Sequence, residues 1–166
     1  METAFGKRLD RVRQASPLVH CISNLVTAND CANVVLAAGA SPIMADAPEE
    51  VREITALSRA LCLSLGTPNP RKADAMFLAG RKAAELGLPV VFDPVGVGAS
   101  AYRQEIARKL LQDIPLTVLR CNASELQTLS GQSLVSRGVD AGKAPELETL
   151  LLLAGRFAAA HHCIVA

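Results

Sequence analysis

The sequence predicts a three-layer α/β/α fold with a mostly parallel central sheet. Short apolar runs recur at residues 18–22, 42–45, 60–65, 89–92, 116–119 and 162–166. Each is apolar on both faces and bounded by polar, Gly or Pro residues, as a strand buried on two sides in a parallel sheet must be. Amphipathic segments separate the runs, and a repeated strand–helix order builds a parallel sheet through right-handed crossovers. Half of the 166 residues are apolar and only 3% aromatic, a composition that suits layers of Ala, Val and Leu. A chain of this length can bury about 70% of the surface its unfolded form exposes. Residues 1–166 therefore read as a single α/β domain.

The helices announce their starts. Asp46 before Pro48, Asn69 before Pro70, and Ser100 each offer an N-terminal cap, with the prolines in the first turn. After Pro145, Leu147, Leu150, Leu151, Ala154, Phe157 and Ala158 recur at three- and four-residue spacing and predict one apolar stripe. The Gly- and Ser-containing stretch 131–143 carries the weakest pattern.

Charge and composition exclude several functions. Seventeen basic and 16 acidic residues leave a net charge of +1, so no basic field exists to neutralise a nucleic-acid backbone. With no Trp and one Tyr, Tyr102, stacking platforms for single strands are absent too. The five cysteines, Cys21, Cys31, Cys62, Cys121 and Cys163, are odd in number and form no C-x-x-C pair, which argues against a disulfide framework or a zinc site. They read as reduced thiols acting as small hydrophobes, and a cytoplasmic location is expected. Residues 1–13 interleave charge with apolar side chains and lack a signal-peptide core. No apolar run approaches the roughly 18 residues of a membrane span.

In open α/β sheets ligands bind beyond the carboxyl ends of the strands. Asp93 stands at such an end, before Pro94 and the Gly96-x-Gly98 loop. A carboxylate there suits Mg²⁺, which takes one or two protein carboxylates and leaves its other positions to water and phosphates; it equally suits a turn before proline. Gly96-x-Gly98 lacks the third glycine and the first-strand location of a dinucleotide site. Asn122 and Glu125 have the spacing of a capping box, which alone accounts for both, and Gln at 125 is expected to preserve it. Arg120 at the same strand end adds a guanidinium able to pair with phosphate. Arg, Asp and Glu converging at adjacent strand ends describe phosphoryl transfer better than a hydrolytic triad. Only Cys21 beside His20 offers a nucleophile–base pair, and His161-His162 reads as a helix C-terminal pair.

Taken together, these motifs resemble the hydroxyethylthiazole kinases of the ribokinase-like superfamily. The resemblance is carried by Ser16-Pro17-Leu18-Val19-His20-Cys21-Ile22-Ser23-Asn24, by Leu36-Ala37-Ala38-Gly39-Ala40-Ser41-Pro42-Ile43-Met44-Ala45, and by Leu65-Gly66-Thr67. The run from Gly87 to Ala99, Arg120-Cys121-Asn122-Ala123-Ser124-Glu125 and Gly138-Val139-Asp140 continue it in order.

The resemblance implies Mg²⁺-dependent transfer of the ATP γ-phosphoryl group to the primary hydroxyl of 4-methyl-5-(2-hydroxyethyl)thiazole, a salvage step towards thiamine. Met44 and Asn24 would line the thiazole pocket, Arg120 would contact ATP, and Asp93 with Glu125 would hold the metal. It also implies a homotrimer with the active site between subunits. Ser23 stands where the family usually has Thr, and Cys121 where it has Gly. The ribokinase-like sheet is expected to be incomplete at its C-terminus, because the family's Thr-Gly segment and its later Gly-rich turn with the catalytic base follow the sixth strand. The catalytic base is thus unassigned, and little or no kinase activity is expected of residues 1–166 alone. A kinase of another ribokinase-like branch and a non-catalytic binding or assembly module are the alternatives.

Overall fold

The computed structural model describes residues 3–131 and 146–166. The weak stretch, apart from Gly131, and the Gly138-Val139-Asp140 motif lie outside the described residues. In chain order the elements are α1 (Ala4–Ala15), β1 (Leu18–Ile22), α2 (Ala28–Ala37), β2 (Ser41–Ile43), α3 (Val51–Leu57) and β3 (Ala60–Ser64). There follow α4 (Pro70–Leu86), β4 (Val90–Asp93), a 3₁₀ turn (Val97–Ala99), α5 (Ala101–Asp113), β5 (Val118–Leu119), α6 (Ala123–Leu129), α7 (Leu147–His161) and β6 (Ile164–Val165). All six runs form strands, and they pair in parallel in the order β2-β1-β3-β4-β5-β6.

This order reverses once. The chain steps from β1 to β2 in one direction, then crosses back to β3 and continues the other way to β6. A crevice therefore opens beyond the carboxyl ends of β1 and β3, the topological switch point. Right-handed crossovers place α2 on one face of the sheet and α4, α5 and α7 on the other.

The two faces are unequally covered. Ile22, Leu63, Phe92 and Leu119 lie in one row across the strands and are fully buried. Met76 and Ala79 of α4, Ile106 and Leu110 of α5, and Phe157 of α7 join them in one core. On the opposite face the row Cys21, Cys62, Val91, Val118, Ile164 runs from 4% exposed at Cys21 to 62% at Ile164. No residue of α2 is buried.

Two helix starts agree with the caps read from the sequence: Asn69 Oδ1 accepts from the Lys72 N–H at 2.9 Å, and Ser100 Oγ from the Arg103 N–H at 3.3 Å. The third does not. The N–H groups of Glu50 and Val51 both donate to the Ala47 carbonyl, at 3.0 and 3.2 Å, closing a turn before α3 begins at Val51. Asp46 therefore caps nothing. The stripe of α7 is also displaced: Leu150, Leu153, Ala154 and Phe157 meet the core, whereas Leu147 and Leu151 are 70% and 63% exposed. His161 stacks on Phe157 with ring centroids 4.2 Å apart, and His162 closes α7 in the left-handed region at φ 51°.

Candidate active site

Asp93 ends β4, Arg120 follows β5, and Glu125 sits in the first turn of α6. The fold brings these three together. Arg120 Nη1 stands 3.5 Å from Asp93 Oδ1, with the guanidinium mostly in solvent. Glu125 is buried, and both its oxygens are engaged by backbone: Oε2 accepts from the Asn122 N–H and Oε1 from the Gly96 N–H, each at 3.0 Å. Asn122 Oδ1 in turn accepts from the Glu125 N–H at 2.9 Å, completing the capping box. The contact to Gly96 exceeds a cap, because it ties the loop after β4 to the start of α6. Gln at 125 can still complete the capping box with its one carbonyl oxygen, as the spacing suggests, but it then leaves the Gly96 N–H without an acceptor.

Burial pushes the Asp93 carboxyl above the usual carboxylate range; Arg120 opposes that and the nearby Glu125 charge adds to it. Among the described residues no group of three or more His, Cys, Asp or Glu side chains could hold a metal by itself. Asp93, partly exposed and held only by a long contact to Arg120, is a carboxylate with room for water and phosphates, which fits Mg²⁺ rather than a metal caged by protein. Cys121 lies in the same field, and burial with the Glu125 and Asp93 charges pushes its thiol up to about 12. It stays a protonated, weakly nucleophilic thiol.

Met44 and Asn24 follow the neighbouring strands β2 and β1, separated from the acidic pair in the sheet by β3. Met44 is partly exposed. The Asn24 side chain is used locally: Oδ1 accepts from the Val26 and Thr27 N–H groups at 2.9 Å each, and Nδ2 donates to Thr27 Oγ1 at 2.8 Å. This turn packs on Gly66, where a Cβ would stand 2.5 Å from Asn24 Cβ. Gly66→Ala is expected to displace the turn and lower stability by about 1–3 kcal/mol, the cost of overpacking a tight site, as read by chemical denaturation. Thr67, next in line, adopts the left-handed region at φ 46° and accepts from the Leu25 N–H at 3.2 Å. Strain of that kind concentrates at functional sites.

His20 and Cys21 do not form a catalytic pair. Adjacent residues on a strand face opposite sides of the sheet, and the buried His20 ring bonds away from the thiol. Its Nε2 donates to the Ala45 carbonyl at 2.8 Å and its Nδ1 meets Thr55 Oγ1 at 2.9 Å. Burial holds this imidazole below its usual pKa.

Two cations escaped the sequence reading. Lys72 Nζ donates to the carbonyls of Ser23 and Gly66, and Arg103 Nη1 to those of Leu65 and Val95 at 2.8 and 2.7 Å. Each is the third residue of its helix, three places after the capping Asn69 or Ser100. The signal was a basic residue where a capping box carries Glu or Gln.

A family model described as the hydroxyethylthiazole kinase family matches residues 9–166. The chain belongs to that family. The hydroxyethylthiazole kinase of Desulfovibrio desulfuricans is 52% identical over 139 residues, covering 84% of this chain and 49% of its own length. That of Lysinibacillus sphaericus is 49% identical over 156 residues, or 93% of this chain and 60% of its own. The solved hydroxyethylthiazole kinase structure from Pyrococcus horikoshii OT3 matches with a TM-score of 0.73 at 41% identity, over 76% of this chain and 49% of that one. The chain thus spans about half the length of the curated relatives it matches. Membership of the hydroxyethylthiazole kinase family sets aside another ribokinase-like branch.

Proposed function

We propose that residues 1–166, as one α/β domain, serve the transfer of the ATP γ-phosphoryl group to the primary hydroxyl of 4-methyl-5-(2-hydroxyethyl)thiazole, in thiamine salvage. The observation that carries this reading is the acidic pair Asp93 and Glu125 beside Arg120 at adjacent strand ends, in a chain of the hydroxyethylthiazole kinase family. Asp93, supported by the Glu125 charge, would hold Mg²⁺, which when bound supplies charge neutralisation at the phosphates. Arg120 offers an exposed guanidinium to ATP. Glu125 fixes the loop after β4 through Gly96. Met44 presents an apolar thioether to the thiazole. The Asn24 amide is spent on its own turn, so it shapes the pocket wall rather than bonding the ligand.

The same reading includes a homotrimer in the cytoplasm. Leu25 and Val26 of the Asn24 turn and Val34 and Leu36 of α2 are exposed, apolar side chains available for subunit contact. All five cysteines are free, and no helix among the described residues is long and apolar enough to cross a membrane. Thermal denaturation with ligands tests the proposal. The thiazole alcohol and Mg·ATP are each expected to raise the melting temperature of the chain, and pyridoxal is not. Stabilisation by neither of the first two overturns the reading.

A further inference from the structure

Lys72 is a residue that stability alone would not choose. It is 4% exposed and stands in the first turn of the 17-residue helix α4, at the positive end of the helix dipole, where a cation is disfavoured. No carboxylate among the described residues lies within ion-pair distance of Nζ. Its ammonium is satisfied by two backbone carbonyls, Ser23 at the end of β1 and Gly66 at the end of β3. Burial lowers its pKa, offset in part by the charge of Asp46. A buried cation without a carboxylate partner costs the fold free energy.

That cost falls at one place, the crevice where the strand order reverses. The two carbonyls flank the Asn24 turn: Ser23 precedes it, and Gly66 is the surface on which the Asn24 Cβ packs. Parallel strands do not hydrogen-bond to each other beyond their ends, so among the described residues these two loops, apart from the packing of Asn24 on Gly66, are joined besides Lys72 by Thr67 Oγ1 accepting from the Leu25 N–H. Arg103 repeats the device one strand further on, between Leu65 and Val95.

We propose that Lys72 is a positioning residue: its ammonium bridges the Ser23 and Gly66 carbonyls and so fixes the Asn24 turn as a wall of the site for the small alcohol. The assignment of that site to the thiazole alcohol rests on the proposed function; the bridge itself does not. Lys72→Met keeps the aliphatic stem and removes the donors. In the 1–166 chain, this variant is expected to lose at least tenfold of the amide hydrogen-exchange protection at Val26 and Thr27, while protection in β4 is retained. Its affinity for the thiazole alcohol is expected to fall about tenfold and its affinity for Mg·ATP to stay within twofold. Lys72→Arg, which keeps a charged donor, restores both. Unchanged protection at Val26 and Thr27 in Lys72→Met overturns the bridge whatever the ligand. If the wild type binds no thiazole alcohol, the proposed function fails while the exchange result still decides the bridge. If affinity for both ligands falls equally, Lys72 is a general structural residue and the positioning role is refuted. Should Lys72→Met not fold, Lys72→Leu, which also has an apolar stem and no donor, gives the same comparison.

Discussion

Asp93→Asn is expected to make the ligand-free protein more stable while weakening Mg·ATP binding at least tenfold. The two effects share one cause. Burial and the Glu125 charge raise the Asp93 pKa in the folded chain, so the ionised carboxylate costs the fold stability at neutral pH. For a group whose folded pKa lies above its unfolded value, the stabilising contribution is complete below the unfolded pKa and is lost as pH rises through the folded one. Asn removes the charge and with it that loss. The contact to Arg120, 3.5 Å away with the guanidinium mostly exposed, is worth about 0–1 kcal/mol and does not reverse the sign. Mg²⁺ and the proton compete for the same oxygen, so Mg²⁺ affinity of the unsubstituted protein should fall as pH drops into the raised Asp93 range. Calorimetric titration of Mg·ATP and a thermal melt without ligand read both effects. A variant that melts lower than the parent, or binds Mg·ATP as tightly, contradicts this account.

The second large effect lies at Glu125. Its two oxygens serve two backbone N–H groups from different segments, Asn122 and Gly96. Glu125→Ala leaves both without their acceptor, at about 1–3 kcal/mol for each that stays buried. With both contacts only part-buried, roughly 1–3 kcal/mol in total is expected, on the order of 5 °C in melting temperature for a chain of this size. Glu125→Gln should fall between, because its carbonyl oxygen accepts one N–H while its amide faces the other. The Gln variant also separates roles: retained Mg·ATP affinity with lowered stability assigns Glu125 to the loop and cap alone, and a parallel loss of affinity assigns it to the metal as well.

Much of this was legible in the sequence, for reasons that differ by element. The strands were readable because a doubly buried parallel strand has no polar face and its ends carry Gly, Pro or charge. Asn69 and Ser100 were readable because a cap is a local device with a local signature. The stripe of α7 was not, because Leu150–Leu153 is a continuous apolar run compatible with several helical faces, and only the position of β6 selects among them. Asp46 failed for a related reason: the Ala47 carbonyl outcompeted its side chain for the orphan N–H groups. At the site, Asp93, Arg120 and Glu125 could be placed from strand ends alone. The Gly96 contact of Glu125 and the carbonyl bridges of Lys72 and Arg103 join residues far apart in sequence, and no local spacing encodes their partners.

The uneven cover of the two sheet faces sets where the molecule opens first. Around β1, β3 and β4 each strand has two paired neighbours and a fully covered side, so separating them requires disrupting the main core. At β5 the pairing with β4 shortens to two positions, Val91 with Val118 and Phe92 with Leu119, and Val118 on the free side is only part-buried. Local opening free energy follows burial and pairing, so resistance to unfolding declines steadily from the switch point outward. The Asn24 turn is anchored at the most resistant end, and the acidic pair on β4 and α6 lies further along the gradient. The proposed wall of the alcohol site and the proposed phosphate site are thus built on ground of unequal firmness.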